Sequence, residues 1–288
     1  MSTHLPVAAQ TLSAAQQAQI VNLVRRAAKA EILPRFQNLS QSQIEAKSRP
    51  DDLVTEADLA SEAMITRGLR RLFPDAIVVG EEAVAKDGGL RQRMAEHAFA
   101  FVIDPIDGTW NYAKGIPLFG VILSVLRYGT PIFGLLYDPI MDDYVIADET
   151  DAPTRMVRKS GQATALATSQ ITDIGQMSGY IHFGLRPKEV QHKLAPVLPE
   201  FMRTTVLRCS CHEYRILAQA NADFCLSSTL NPWDHAAGVL ACRKAGGVSA
   251  FLDDGAPYNA SRETGYLLSA ASQSAWDAVA AVLRPAIL

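Results

Sequence analysis

Ile20, Val24 and Ala28 recur at four-residue spacing between Ser13 and Leu33, with Pro34 directly after. Apolar residues four apart share one helix face and proline cannot continue a helix, so an amphipathic helix is predicted over 13–33. Residues 37–52 are largely polar, carry Lys47-Ser-Arg-Pro50 near their end, and read as a loop or hairpin. Thr55-Glu-Ala-Asp58 has the spacing of a capping box and opens a second predicted helix running through Phe73, before Pro74. The pattern then shortens to strand-like runs at 76–79 and 99–103, followed by three more at 117–127, 132–137 and 144–147. Gly129-Thr-Pro131 and Asp138-Pro-Ile-Met-Asp-Asp143 supply turns between the last three, which predicts an antiparallel sheet. Past Thr150 the pattern alternates, with candidate strands at 164–168 and 178–183 and candidate helices at 214–221 and 235–245. The expected organisation is two lobes sharing one cleft: an α+β lobe over 1–150 and an α/β lobe over 151–288.

Composition narrows the class without changing this picture. The 288 residues are 48% apolar and 20% charged, enough to bury a sizeable core. A net charge of −3 offers no basic footprint for nucleic acid and no polybasic membrane anchor. Apolar runs fall far short of the ~20 residues that span a bilayer, and residues 1–17 lack a basic start followed by an apolar stretch. The expected location is the cytoplasm. Cys209, Cys211, Cys225 and Cys242 include no Cys-x-x-Cys pair; Cys225 and Cys242 read as buried, reduced thiols, and Cys209-Ser-Cys211-His212 lacks a second cluster to complete a tetrahedral metal set.

Chemistry concentrates in Phe101-Val-Ile-Asp-Pro-Ile-Asp-Gly-Thr-Trp-Asn111. A strand delivers Asp104 and Asp107, and two neighbouring carboxylates repel unless a cation neutralises them. Hard ions such as Mg²⁺ prefer carboxylate and carbonyl oxygen. Gly108-Thr109 follows where a helix can begin and its free N–H groups can face an anion. A metal site beside an anion site suggests phosphate chemistry. Gly80-Glu81-Glu82 ends an earlier strand-like run, and Trp233-Asp234-His235-Ala236-Ala237-Gly238 opens a helical stretch closing at Gly246-Gly247.

In this order, Gly-Glu-Glu, Asp-Pro-Ile-Asp-Gly-Thr and Trp-Asp-x-Ala-Ala-Gly resemble the inositol monophosphatase family, Mg²⁺-dependent and lithium-sensitive phosphatases, over about Lys47 to Gly247. The resemblance implies a layered α-β-α-β-α sandwich with the site between lobes, and a homodimer. It implies two to three Mg²⁺ ions: Glu81, Asp104 and the Ile106 carbonyl on the first, Asp104, Asp107 and Asp234 on the second, with Glu81 also helping to hold a third. Asp58 and Thr109 match the pair that positions a water, with Glu81 as a further catalytic residue, and Lys47 matches a basic residue of a mobile metal-binding loop. Asp107, Gly108, Thr109, Ser210, Ser227 and Asp234 match substrate-contacting positions. Each residue also has a plain reading: Asp104 as a turn residue, Asp234 as a helix cap, Asp58 as the end of its capping box, Lys47 as a solvated lysine, Glu82 as a hydrogen-bonding partner.

Two segments depart from the family pattern. Arg208-Cys-Ser-Cys-His-Glu-Tyr214 stands where the family carries a run of small residues, and Ser227 stands where a glutamate often contacts inositol hydroxyls. His212, Glu213 and Arg215 are therefore candidate pocket residues, with a structural role as the alternative. The expected activity is hydrolysis of a small polyol or sugar phosphate, inositol 1-phosphate not necessarily the best. Histidinol phosphate, fructose 1,6-bisphosphate and 3′-phosphonucleotides are the alternatives. A bisphosphate would need extra cationic residues, for which Arg186, Lys188, Arg203 and Arg208 are candidates. A non-catalytic binding protein on the same scaffold is the rival reading.

Overall fold

The Ser13 hydroxyl accepts the Gln16 N–H and the Gln16 amide oxygen accepts the Ser13 N–H, a reciprocal cap that opens α1, Ala14–Ala27. The computed structural model, which describes residues 11–288, continues α1 as one π-helical turn, Ala28–Ile32, before Pro34. Ile20, Val24 and Ala28 are fully buried, as their spacing predicts. The polar stretch after it forms a hairpin, β1 (Ile44–Ala46) against β2 (Leu53–Thr55). Thr55 then caps α2, Glu56–Leu72.

The predicted antiparallel meander is one flank of a larger sheet. Its strands are β3 (Ile77–Gly80), β4 (Ala100–Asp107), β5 (Gly120–Arg127), β6 (Thr130–Asp138), β7 (Asp143–Asp148), β8 (Arg155–Val157) and β9 (Ala163–Ala165), neighbours in sequence order. Only β3 and β4 run parallel. Two helices that the sequence pattern did not predict, α3 (Glu81–Lys86) and α4 (Gly89–Glu96), make the crossover between them. A short α5, Thr109–Ala113, follows β4. The strand expected at 164–168 shortens to β9 and pairs with β8 at the edge of this first sheet.

The alternation expected beyond residue 150 is present. β10 (Ser178–Ile181), α6 (Lys188–Leu194), β11 (Arg203–Thr205), α7 (Ser210–Ala218), β12 (Phe224–Ser227) and α8 (Pro232–Lys244) follow one another. Then come β13 (Val248–Phe251), β14 (Leu267–Ala270) and α9 (Gln273–Ile287), which the sequence reading left without an element. The second sheet has the order β11-β10-β12-β14-β13, parallel about β10 and antiparallel about β14.

Side-chain alternation along the strands stacks these elements into layers. Val121, Leu123, Leu135 and Tyr137 pack with Ile20, Val24 and Ile65 of α1 and α2. Their neighbours Ile122 and Leu136 face the other way, onto Tyr214, Leu217, Ala236, Ala237 and Leu240 of α7 and α8. Phe224, Leu226 and Leu268 of the second sheet bury against Trp276, Val279 and Leu283 of α9. The result is the expected α-β-α-β-α sandwich. Gly238 permits its middle layer: a Cβ there would stand 2.1 Å from the Tyr214 ring, so only glycine lets α8 lie this close to α7.

Candidate active site

Residues three apart on a regular strand point to opposite faces, so Asp104 and Asp107 need a fault in β4 to meet. The structure has one. Pairing with β5 runs in register to Asp104–Ile122 and resumes at Asp107–Gly120, so β4 carries one extra residue between them. Pro105 has no N–H to give a ladder, and the Asp104 Oδ1 instead accepts the Ile106 N–H at 3.1 Å. Gly108 follows at φ +87°, and a Cβ there would meet the Leu118 carbonyl at 3.1 Å and Cys209 Cβ at 3.2 Å. This turn delivers Thr109 to the start of α5.

Asp234 arrives from the first turn of α8, where a carboxylate is favoured by the helix dipole. Its Oδ2 accepts the Asn231 side-chain N–H at 3.2 Å. Ligand-type oxygens of Asp104, Asp107 and Asp234 lie within 4.8 Å of one another. Burial raises all three above the usual carboxylate range. For Asp104 the charges of Glu81, Asp107 and Asp234 add to it. Asp234 also feels Asp107 and Glu81. Asp107 reaches about 6 through burial, held down by the Cys211 N–H and the Cys209 thiol that it accepts. A close, buried group of hard oxygen donors of one charge fits a small divalent cation such as Mg²⁺.

Asp58 caps α2 with one carboxylate oxygen and meets Thr109 with the other. Its Oδ2 accepts the Thr55 N–H at 2.8 Å and the Thr55 hydroxyl at 2.5 Å, capping α2. Its Oδ1 lies 3.2 Å from the Thr109 hydroxyl, which is also 2.9 Å from the Ile106 carbonyl oxygen. Burial lifts Asp58 to about 7 against the Thr55 bond, with the Glu81 and Glu82 charges adding. Lys47, on the hairpin, bonds Glu81 at 2.8 Å and Glu82 at 2.6 Å. Burial pulls the Lys47 ammonium down, yet the two carboxylates outweigh it and hold it above lysine's ordinary value. Glu82 is anchored from behind, its N–H donated to Glu62 at 2.9 Å. The structural reading of Glu82 thus fits, while Glu81 stays on the cleft wall.

These groups share a cleft of about 540 Å³, lined also by Gly108, Ser210, Arg208 and Trp110. Arg208 stacks 4.5 Å over Trp110 and bonds the Asp51 carbonyl at 3.1 Å, tying the segment before α7 to the hairpin. Ser227, expected among the substrate contacts, is not part of the lining and is 2% exposed on β12. His212 and Arg215 also point elsewhere. His212 Nε2 lies 3.1 Å from the Phe119 carbonyl oxygen, and Arg215 donates to the Leu136 carbonyl at 2.9 Å and pairs with Asp143, so both pin α7 to the first sheet. All four cysteines are free and buried; Cys209 and Cys211 steady Asp107.

Among the lining residues given no role from the sequence are His182, Thr229 and His235. His235 sits between the Thr229 carbonyl at 2.7 Å and the Tyr214 hydroxyl at 3.2 Å, and burial lowers it to about 4. His182 Nε2 is 2.7 Å from the fully buried Glu213, whose other oxygen accepts the Leu207 N–H at 2.8 Å. A histidine after a short strand and a glutamate in a helix, 31 positions apart, give no spacing signal.

Comparison with known proteins agrees with this geometry. The profile of the inositol monophosphatase family matches residues 12–286. A Thermotoga maritima protein named fructose-1,6-bisphosphatase/inositol-1-monophosphatase is 27% identical over 208 residues, covering 71% of this chain and 73% of its own. A Streptomyces coelicolor histidinol-phosphatase is 29% identical over 243 residues, covering 82% and 86%. The solved structure of a Thermotoga maritima IMPase superposes with a TM-score of 0.77 at 21% identity, over 94% of this chain and 98% of that one. Among the described residues no helix is long and apolar enough to cross a membrane. With this fold and this cleft, the chain belongs to the inositol monophosphatase family, a family of metal-dependent phosphoric monoester hydrolases.

Proposed function

We propose that this protein is a Mg²⁺-dependent phosphomonoesterase for a small polyol or sugar phosphate, using two to three ions. The observation that carries the reading is the meeting of Asp104, Asp107 and Asp234 within 4.8 Å beside the Asp58–Thr109 pair. Glu81, Asp104 and the Ile106 carbonyl would hold one ion, Asp104, Asp107 and Asp234 a second, and Glu81 would help hold a third. Bound Mg²⁺ would neutralise the phosphate, acidify the attacking water and stabilise the leaving alkoxide.

The chain's own residues supply orientation. Thr109 presents its hydroxyl oxygen to the water, and Asp58 takes the Thr109 proton in a hydrogen bond while remaining fixed by Thr55. Gly108 and Thr109 bring their backbone against the phosphate, and Ser210 faces the alcohol. Lys47 bonds Glu81 and Glu82 from the hairpin, so seating an ion on Glu81 requires this lysine to yield. Lithium sensitivity, a homodimer and a cytoplasmic location belong to the same reading through the family resemblance.

The names of relatives range over inositol, fructose 1,6-bisphosphate and histidinol phosphate chemistry. The test is phosphate release from inositol 1-phosphate, histidinol phosphate, fructose 1,6-bisphosphate and a 3′-phosphonucleotide, with Mg²⁺ and with chelator. Release that requires Mg²⁺ is expected. No release from any ester would move the weight to a binding protein.

A further inference from the structure

The His182 ring is held from one side only. It follows β10 directly, and alternation along that strand turns it the same way as Tyr180, towards α7. There Nε2 lies 2.7 Å from Glu213 Oε2. Glu213 accepts two further donors, the Leu207 N–H at 2.8 Å on its other oxygen and the Cys225 thiol at 3.7 Å on the same one. A carboxylate set among donors takes the His182 hydrogen on Nε2, which fixes the tautomer and leaves Nδ1 as the free nitrogen. Nδ1 has no partner among the described residues, yet it is not one of the buried side-chain atoms left without one. Its exposure is to the cleft, which His182 lines with an 11% exposed side chain.

One helix sets the distance from this ring to the metal wall. Cys209 and Cys211, at the start of α7, hold Asp107 through a thiol and an N–H, and Glu213 holds His182 from the same turn. A helical turn rises roughly 5.4 Å, so a small alcohol with its phosphate on the acids would reach from one clamp to the other. Ser210 lines the cleft between them. Of the cations weighed for a second phosphate, Arg186, Lys188 and Arg203 do not line the cleft, and Arg208 is engaged by Asp51 and Trp110. Arg49, which lines it, pairs with Asp51. The alcohol side therefore offers a hydrogen-bonding nitrogen rather than a group of free cations.

We propose that His182, aligned by Glu213, is a specificity-determining residue for the alcohol part of the ester, its Nδ1 hydrogen-bonding a substrate hydroxyl. The inference rests on the phosphomonoesterase reading of the cleft and narrows its substrate class. A hydroxyl suits this nitrogen in both of its states, donating to the bare nitrogen and accepting from the protonated one. A carboxylate suits only the protonated ring, and an ammonium only the neutral one. A hydrocarbon suits neither, and would strip Nδ1 of water without replacing it. The favoured substrate is the phosphate ester of an uncharged, hydroxyl-bearing alcohol.

The test is steady-state kinetics in Mg²⁺ on two matched pairs, inositol 1-phosphate against cyclohexyl phosphate and glycerol 1-phosphate against propyl phosphate. Phosphoglycolate and phosphoethanolamine supply a carboxylate and an ammonium. The wild-type chain is expected to favour a hydroxyl-bearing ester over its hydrocarbon match by roughly tenfold or more in kcat/KM, and over both charged esters. In His182→Phe that ratio should fall by about fivefold or more, chiefly through KM. His182→Asn should recover part of it, because its amide stands where Nδ1 stood, and His182→Gln should not, because its amide replaces Nε2 at Glu213. The reverse order, with Gln recovering and Asn failing, marks a merely structural histidine and overturns the proposal. So does a His182→Phe variant that lowers every ester by the same factor. A wild-type ratio below tenfold in both pairs, or a charged ester in the lead, overturns it without any variant, so the test decides even where a variant does not fold. Release without preference refutes the hydroxyl contact alone; absence of release from every ester refutes the phosphomonoesterase reading beneath it.

Discussion

The two walls of the cleft are built in opposite ways. On the metal side, acids that repel one another are forced together by a strand bulge, a helix start and a hairpin, and Lys47 offsets them only in part. On the side of His182 the buried acid is already satisfied: Glu213 is consumed by His182 and a backbone N–H. The first wall lacks a cation, whereas the acid behind the second is already paired.

Removing an acid from the first wall should have the largest effect. Asp234→Asn is expected to lower kcat by roughly 10³-fold or more, the scale of losing a group that stabilises transition-state charge. It should leave the chelator-treated protein no less stable, because it relieves repulsion. Calorimetry with and without Mg²⁺ checks both halves: the ion should raise the wild-type Tm and fail to raise that of the variant. Near-normal turnover in Asp234→Asn would break the contrast between the walls.

The second wall should respond in binding rather than in chemistry. Glu213→Gln frees the His182 ring and leaves a buried bond to Leu207 weakened, for about 1–3 kcal/mol of stability. KM should rise roughly tenfold, about 1.4 kcal/mol, with kcat changed far less. An effect on kcat alone would move Glu213 into the chemistry of the first wall.

The smallest and most diffuse expectation concerns pH. Asp58 and Glu62 reach about 7 and Asp107 about 6 in the folded chain, all raised chiefly by burial. A carboxylate raised on folding binds more protons folded than unfolded, so it lowers stability as pH climbs from about 4 to about 7. His235 opposes this: lowered to about 4 by burial, it costs stability as pH falls below about 6.5. The acids outnumber it, so the melting temperature in chelator should fall between pH 5 and 8, and Mg²⁺ should flatten that slope. A melting temperature in chelator that climbs over this interval would contradict the unpaired character of the metal wall.

Much of this could be read along the chain, because local geometry follows local sequence. Four-residue spacing fixed the buried face of α1, turn residues bounded β5, β6 and β7, and Thr55-x-x-Asp58 did cap α2. The helices of the β3–β4 crossover and the final β13, β14 and α9 went unread, because short or mixed apolar runs take their form from what they pack against. The same limit separates the two walls. Gly80-Glu81-Glu82, Asp104-Pro-Ile-Asp107-Gly-Thr109 and Trp233-Asp234 announce themselves because turns, a bulge and a helix start must be written in adjacent residues. Only the tertiary structure decided that Ser227 stays inside β12, that His212 and Arg215 tie α7 to the first sheet, and that His182 meets Glu213 behind one wall. Those two residues come from different segments, and the way each side chain points is set by burial and by long-range partners that no local pattern encodes.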